Sequence, residues 1–220
     1  MQMITATSVI ASDTNFVLLK IRGMELVPEV WDKGAYLQHQ IISTMQHEWK
    51  RKSFVIITSD DTARYRSIKP KFAIEINILE LHINDPVINQ QNKMVSRDVT
   101  TNNYRDEAED QRKEHAAVNA DMTILEKSQT GILRISVATV NVPEAVTYWS
   151  ELLVESYNWE NKSATYTGSF QALGSKEVLL VRSKERPVPK PEDIYRDMVR
   201  QCINKSSSRI ANSINPKTGG

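Results

Sequence analysis

Cysteine occurs once in the 220 residues, at position 202. A single thiol excludes an internal disulfide, a cysteine-based zinc finger and a thiolate-ligated cluster. Glycine is also scarce, with seven residues at 23, 34, 131, 168, 174, 219 and 220. No two of them are separated by one residue and no two lie five apart. Neither a G-x-G-x-x-G loop nor a Walker A phosphate cradle can therefore be built. Apolar runs never exceed a few residues, too short for a membrane-spanning helix or the core of a signal peptide. Charge of one sign is missing too, because 28 Lys and Arg stand against 27 Asp and Glu, a formal charge of +1. Proteins that hold nucleic acid by its phosphates carry a basic excess, and this chain has none.

What is present reads as an α/β (α+β) chain, expected to be one domain over residues 1–220. Phe16-Val-Leu-Leu-Lys-Ile21, closed by Gly23, is a buried strand. After Pro28 the apolar period becomes four: Leu37, Ile41, Met45 and Trp49 mark an amphipathic helix over about residues 29–50. Phe54 to Thr58 is a second strand, and Ser59 or Asp60 caps a brief helix that Pro70 stops. From Lys71 the period is two, with Phe72, Ile74, Ile76 and Ile78 on one face of a strand that runs toward Asp85-Pro86.

Residues 88–116 are rich in Asn, Gln and mixed charge and nearly empty of large aliphatics. They are expected to form a polar protrusion or mobile insertion, whether exposed helix, hairpin or loop, ordered by contact with another chain. Alternation returns at Val118, Ala120, Met122 and Ile124. Ser128 to Gly131 has turn chemistry, Ile132 to Val140 is a strand, and Asn141-Val-Pro-Glu144 turns the chain again. Val146, Tyr148, Leu152 and Val154 belong to the answering strand, giving an antiparallel meander. Residues 186–191, Arg-Pro-Val-Pro-Lys-Pro, are an extended spacer. A final helix over 192–214 carries Ile194, Met198, Cys202 or Ile203, Ile210 and Ile214 as its apolar stripe.

This order of elements resembles the α/β domain of bacterial envelope proteins. That group includes the curli secretion channel, the lipoprotein activators of penicillin-binding proteins and the N-terminal domain of the TolB translocation protein. The motif that carries the resemblance is Leu133-Arg-Ile-Ser-Val-Ala-Thr-Val-Asn-Val-Pro-Glu-Ala-Val-Thr-Tyr-Trp-Ser150. It is similar to that group's hairpin, L-R-hydrophobic-V-D/N-V, then a glycine turn and V-hydrophobic-W-S. Ala145 stands where the group has glycine or its neighbour. No cysteine lies near Met1, so the resemblance implies either a start beyond the lipidation site or a member without one.

Candidate sites are few. His39 and His47 are eight apart on the first helix, too far for one metal, and read as surface residues. His82 with Asp85 is the place to look for acid–base chemistry, against the plainer reading of a solvated sheet edge. Cys202 reads as an inert core thiol. Tyr148, Trp149, Tyr157, Trp159 and Tyr166, followed by basic residues, could stack bases or a glycan; cross-strand packing explains them more simply.

Three functions follow. The leading one is a non-catalytic interaction or assembly component of the bacterial envelope, periplasmic or associated with the outer membrane. It would self-associate or bind protein through Tyr104, Arg105, Arg112, Tyr148, Trp149 and Trp159. It needs no cofactor, metal or nucleic acid, and its contact with membrane is indirect. The second is a hydrolase or transferase at His82/Asp85, and the third a single-strand nucleic-acid-binding domain; the alternative location is the cytoplasm.

Overall fold

The computed structural model describes residues 15–28, 31, 35–49, 54–58, 68–101 and 114–214. Its strands are β1 (Asn15–Arg22), β2 (Phe54–Ile57), β3 (Phe72–Ile83), β4 (Val87–Thr101), β5 (Glu114–Asn141) and β6 (Val146–Gly168). Its α-helices are α1 (Ala35–Glu48), α2 (Ser175–Arg182) and α3 (Pro191–Ile214). The six strands form one mixed sheet: β1 runs parallel to both β2 and β3, while β3 and β4 are each antiparallel to β5. The α/β (α+β) class expected from the sequence is the class observed. The brief helix expected after Ser59 falls outside the described residues.

The chain divides into two compact units, residues 1–83, 131–157 and 190–220 in the first, 84–130 and 158–189 in the second. In the first unit, α1 and α3 bury their apolar stripes against the sheet. Leu37, Ile41 and Met45 of α1 meet Ile194, Met198, Cys202, Ile203 and Ile210 of α3. Val17, Leu19, Ile74, Ile76, Leu133, Ile135 and Val137 supply the sheet side. Each fully buried aliphatic removes enough surface from water to stabilise the fold by roughly 1.5–3 kcal/mol. Parallel β1 and β2 require a crossover, and α1 lies in it. Gly23 closes β1 with φ +77, and a Cβ there would stand 2.2 Å from the Ile78 carbonyl oxygen. The register of β3 shifts directly after Ile78.

In the second unit β4 pairs with β5 without interruption from Val87↔Ser128 to Thr101↔Glu114. A smaller core joins Val95, Ala120, Met122, Ile124 and Ala164 to Ala172 and Leu173, with Val178, Leu180 and Val181 of α2 packed on it. Gly168 ends β6 at φ +104, with the Asn119 carbonyl 2.7 Å from where a Cβ would be. That carbonyl accepts from Ser169 N at 2.9 Å.

Two sequence expectations are corrected and a third is narrowed. Of the forms the sequence leaves open for 88–116, residues 88–101 take that of a strand paired antiparallel to β5, and make up most of β4. Its residues are polar because both faces are largely solvated, and the ladder to β5 supplies the order that burial does not. Ser128–Gly131 does not turn. It lies inside β5, where the partner changes from β4 at Ser128 to β3 at Gly131. Gln129 is buried there, its Nε2 donating to Asn84 O at 3.2 Å. The first helix is shorter than expected, Ala35 to Glu48, and α2 was not foreseen.

Candidate functional site

Strand β6 pairs with β5 alone, so its outer edge carries unpaired backbone groups among the described residues. The turn before it explains where it starts. Asn141 Nδ2 donates to Glu144 Oε2 at 2.9 Å and to Tyr148 Oη at 2.8 Å. Its Oδ1 accepts from Glu144 N at 3.3 Å. Ala145 then takes φ 54, the left-handed conformation that favours glycine.

Beyond the turn, β6 alternates. Leu153 and Glu155 are buried on the helix side, while Leu152 and Val154 face away, 55% and 47% exposed. Two acidic residues on the helix side are matched by two basic residues of α3. Glu151 pairs with Arg209, and Glu155 accepts from Lys205 at 2.5 Å. The hydrogen bond from Lys205 to Glu155 raises the lysine pKa. Glu151 keeps one buried carboxylate oxygen, Oε2, without a hydrogen-bond partner among the described residues. Tyr157 follows, its pKa raised first by burial and then by Asp197 and Asp193.

The sequence-predicted residues are placed as follows. Tyr148 is exposed, its ring 6.1 Å from that of Phe72. Trp149 and Tyr157 are half-buried against the core of the first unit. Trp159 is half-buried and belongs to the second unit, as does Tyr166, whose ring lies 6.1 Å from Phe170. The aromatic run is thus divided between two units. Tyr104, Arg105 and Arg112 lie outside the described residues. His82 and Asp85 are both exposed and fall in different units. Cys202 is fully buried, and burial pushes its thiol pKa up to about 12. That pKa leaves almost no thiolate near neutrality.

A groove of about 500 Å³ separates the end of α1 from the middle of α3, lined by Ser43, His47, Glu48, Asn204 and Ser207 among others. Ser207 Oγ lies 3.3 Å from Glu48 Oε1 and 3.2 Å from Asn204 O. One hydroxyl proton serves both contacts in turn, which is ordinary helix-to-helix bonding. Among the described residues no group of three or more His, Cys, Asp or Glu could hold a metal ion, and no helix is long and apolar enough to cross a membrane.

The sequence groups Leu152 and Val154 on one strand but gives no sign of Glu151 and Glu155. Their basic partners sit 58 and 50 residues away, and no local pattern announces such pairs.

No family model matches the chain, and no curated protein does. Among solved structures it is similar to a hemagglutinin homologue from Helicobacter pylori, at 12% identity over 94% of this chain and 85% of that one, TM-score 0.40. It is similar to the PelC dodecamer from Paraburkholderia phytofirmans, at 8% identity over 90% and 88%, TM-score 0.35. A minor lipoprotein from Acinetobacter baumannii aligns at 10% identity over 94% and 97%, TM-score 0.29. All three are bacterial proteins, and likeness this weak assigns no activity.

Proposed function

We propose that the chain is a non-catalytic protein-interaction or assembly component that works through its sheet edges and associates with itself. The observation that carries the reading is the unpaired edge of β6, where Leu152 and Val154 stand about half exposed. Soluble proteins blunt such edges with proline, a bulge, outward lysines or brevity. Here β2 is blunted by being four residues long and β4 by Lys93 and Arg97. Residues 146–157 of β6 contain no proline, lysine or glycine. An edge left open in this way is suited to receiving a strand. The hairpin from Leu133 to Ser150, with its resemblance to bacterial envelope proteins, supports a place in the periplasm or at the outer membrane.

Sedimentation equilibrium of the full chain from low micromolar to near-millimolar concentration tests the self-association. A mass that rises above 25.1 kDa with concentration is expected. A constant 25.1 kDa contradicts it. Fractionation of the native host tests the location, with the protein expected in the envelope fraction and contradicted by recovery in the cytoplasm.

A further inference from the structure

The edge of β6 has a symmetry of its own. Residues 149–157 read Trp-Ser-Glu-Leu-Leu-Val-Glu-Ser-Tyr, which is nearly the same in both directions about Leu153. A sequence of that kind on an unpaired strand is self-complementary, as a two-fold interface requires. Resting on the self-association reading above, we propose that two copies of this chain join by antiparallel pairing of β6 with β6, the two-fold axis passing through Leu153.

The pairing satisfies both faces of the strand. On the outer face Leu152 meets Val154 of the second copy, and the reverse, so the exposed aliphatic groups cover each other. Ser150 stands opposite Ser156 at each end of this row. On the helix face Trp149 stands opposite Tyr157, and Leu153 meets its own copy. Glu151 then falls opposite Glu155 of the second copy, which would be unfavourable for two bare carboxylates. Neither is bare: Arg209 and Lys205, each more than half exposed, accompany them. The axis therefore assembles four acidic and four basic side chains, a neutral set. It also brings the second copy's Lys205 toward Glu151, whose buried Oε2 has no donor among the described residues. A strand pair of this length covers less than the roughly 800 Å² per partner of a standard interface, which places it among the smaller, reversible associations.

The geometry makes a test that ordinary association cannot mimic. Directly opposed residues of an antiparallel pair have Cα atoms about 4.5–5.5 Å apart, within disulfide range. Ser150→Cys and Ser156→Cys are prepared separately, both at exposed positions. Within a dimer of either variant the two new thiols are six residues out of register, roughly 20 Å, and cannot bond. Mixed and oxidised, the two variants should give a disulfide dimer that neither gives alone. Cys202 is buried and does not compete. Leu152→Lys, also exposed, should weaken the dimer at least about tenfold with the monomer's melting unchanged. Both results together support the interface. Self-association that survives Leu152→Lys and yields no mixed disulfide overturns this interface and leaves self-association standing. A mass of 25.1 kDa at every concentration overturns both.

Discussion

Replacing Gly23 by Ala should cost the first unit a large part of its stability, and the structure sets the size of the loss. The residue sits at φ +77, where an L side chain is strained by about 1–2 kcal/mol. Its new Cβ would lie 2.2 Å from the Ile78 carbonyl oxygen, which is backbone and cannot rotate away. Relief requires β1 or β3 to move by roughly 1 Å, an overpacking strain of about 1–3 kcal/mol. Alanine's smaller unfolded-state entropy returns about 0.4–1 kcal/mol. The net expectation is a loss of about 2–4 kcal/mol. Gly131→Ala is the control, because its φ is ordinary and its nearest contact is 3.3 Å, from a side-chain carbon of Ile83. It should stay within about 1 kcal/mol of the parent. Urea unfolding followed by tryptophan fluorescence measures both, with Trp31, Trp49 and Trp149 reporting on the first unit. Gly23→Ala within about 0.5 kcal/mol of the parent, or Gly131→Ala equally damaging, would refute the reasoning.

Ala145→Gly should stabilise the β5–β6 turn by about 1 kcal/mol, since it removes left-handed strain from a non-glycine residue; a loss of stability in the same urea assay would contradict that. Leu133→Ala, at a fully buried position, should cost about 2–5 kcal/mol, and a change below about 1 kcal/mol would show that the first unit's core is wrongly drawn. Cys202 should resist a thiol reagent at pH 8 until the chain unfolds, because its thiol pKa is about 12; rapid labelling of the folded protein argues against its burial. The Glu177 pKa is lowered, first by the hydrogen bond from Lys93, so the contact that holds α2 to β4 is fully present above the usual carboxylate range and is lost only as pH falls through the lowered value beneath it. Titration by carbon-detected NMR should show Glu177 protonating below other glutamates, with Lys93→Met raising it part of the way, because backbone hydrogen bonds at Gly174 and Glu177 also lower it; equal values in the two proteins would refute the pairing.

The first unit was legible because its elements carry strong periods. Leu37, Ile41 and Met45 repeat every four residues, Phe72, Ile74, Ile76 and Ile78 every two, and all are buried as read. The second unit was not. Only Val95 on β4 is buried among its hydrophobic residues, so 88–101 carried no alternation to read; its order lies in pairing to β5, a long-range relation. Ser128–Gly131 has turn residues but is held extended by two successive partners, a case of tertiary pairing overriding local preference. Helix α2, Ser-Lys-Glu-Val-Leu-Leu-Val-Arg, is two turns long and too short for its period to emerge. Of the candidate site, the aliphatic row of β6 was visible as alternation. The carboxylate row was hidden, because Glu151 and Glu155 acquire meaning only beside Arg209 and Lys205 of α3.

Assembly of this chain through the edge of β6 is read out by amide hydrogen exchange in residues 150–156 at two protein concentrations. Edge amides that point away from β5 should exchange fast in dilute solution and slow markedly when the protein is concentrated, while Phe72–Ile78 in the sheet interior stay protected in both. Exchange in 150–156 that is the same at both concentrations would show that this edge stays open and joins no second copy.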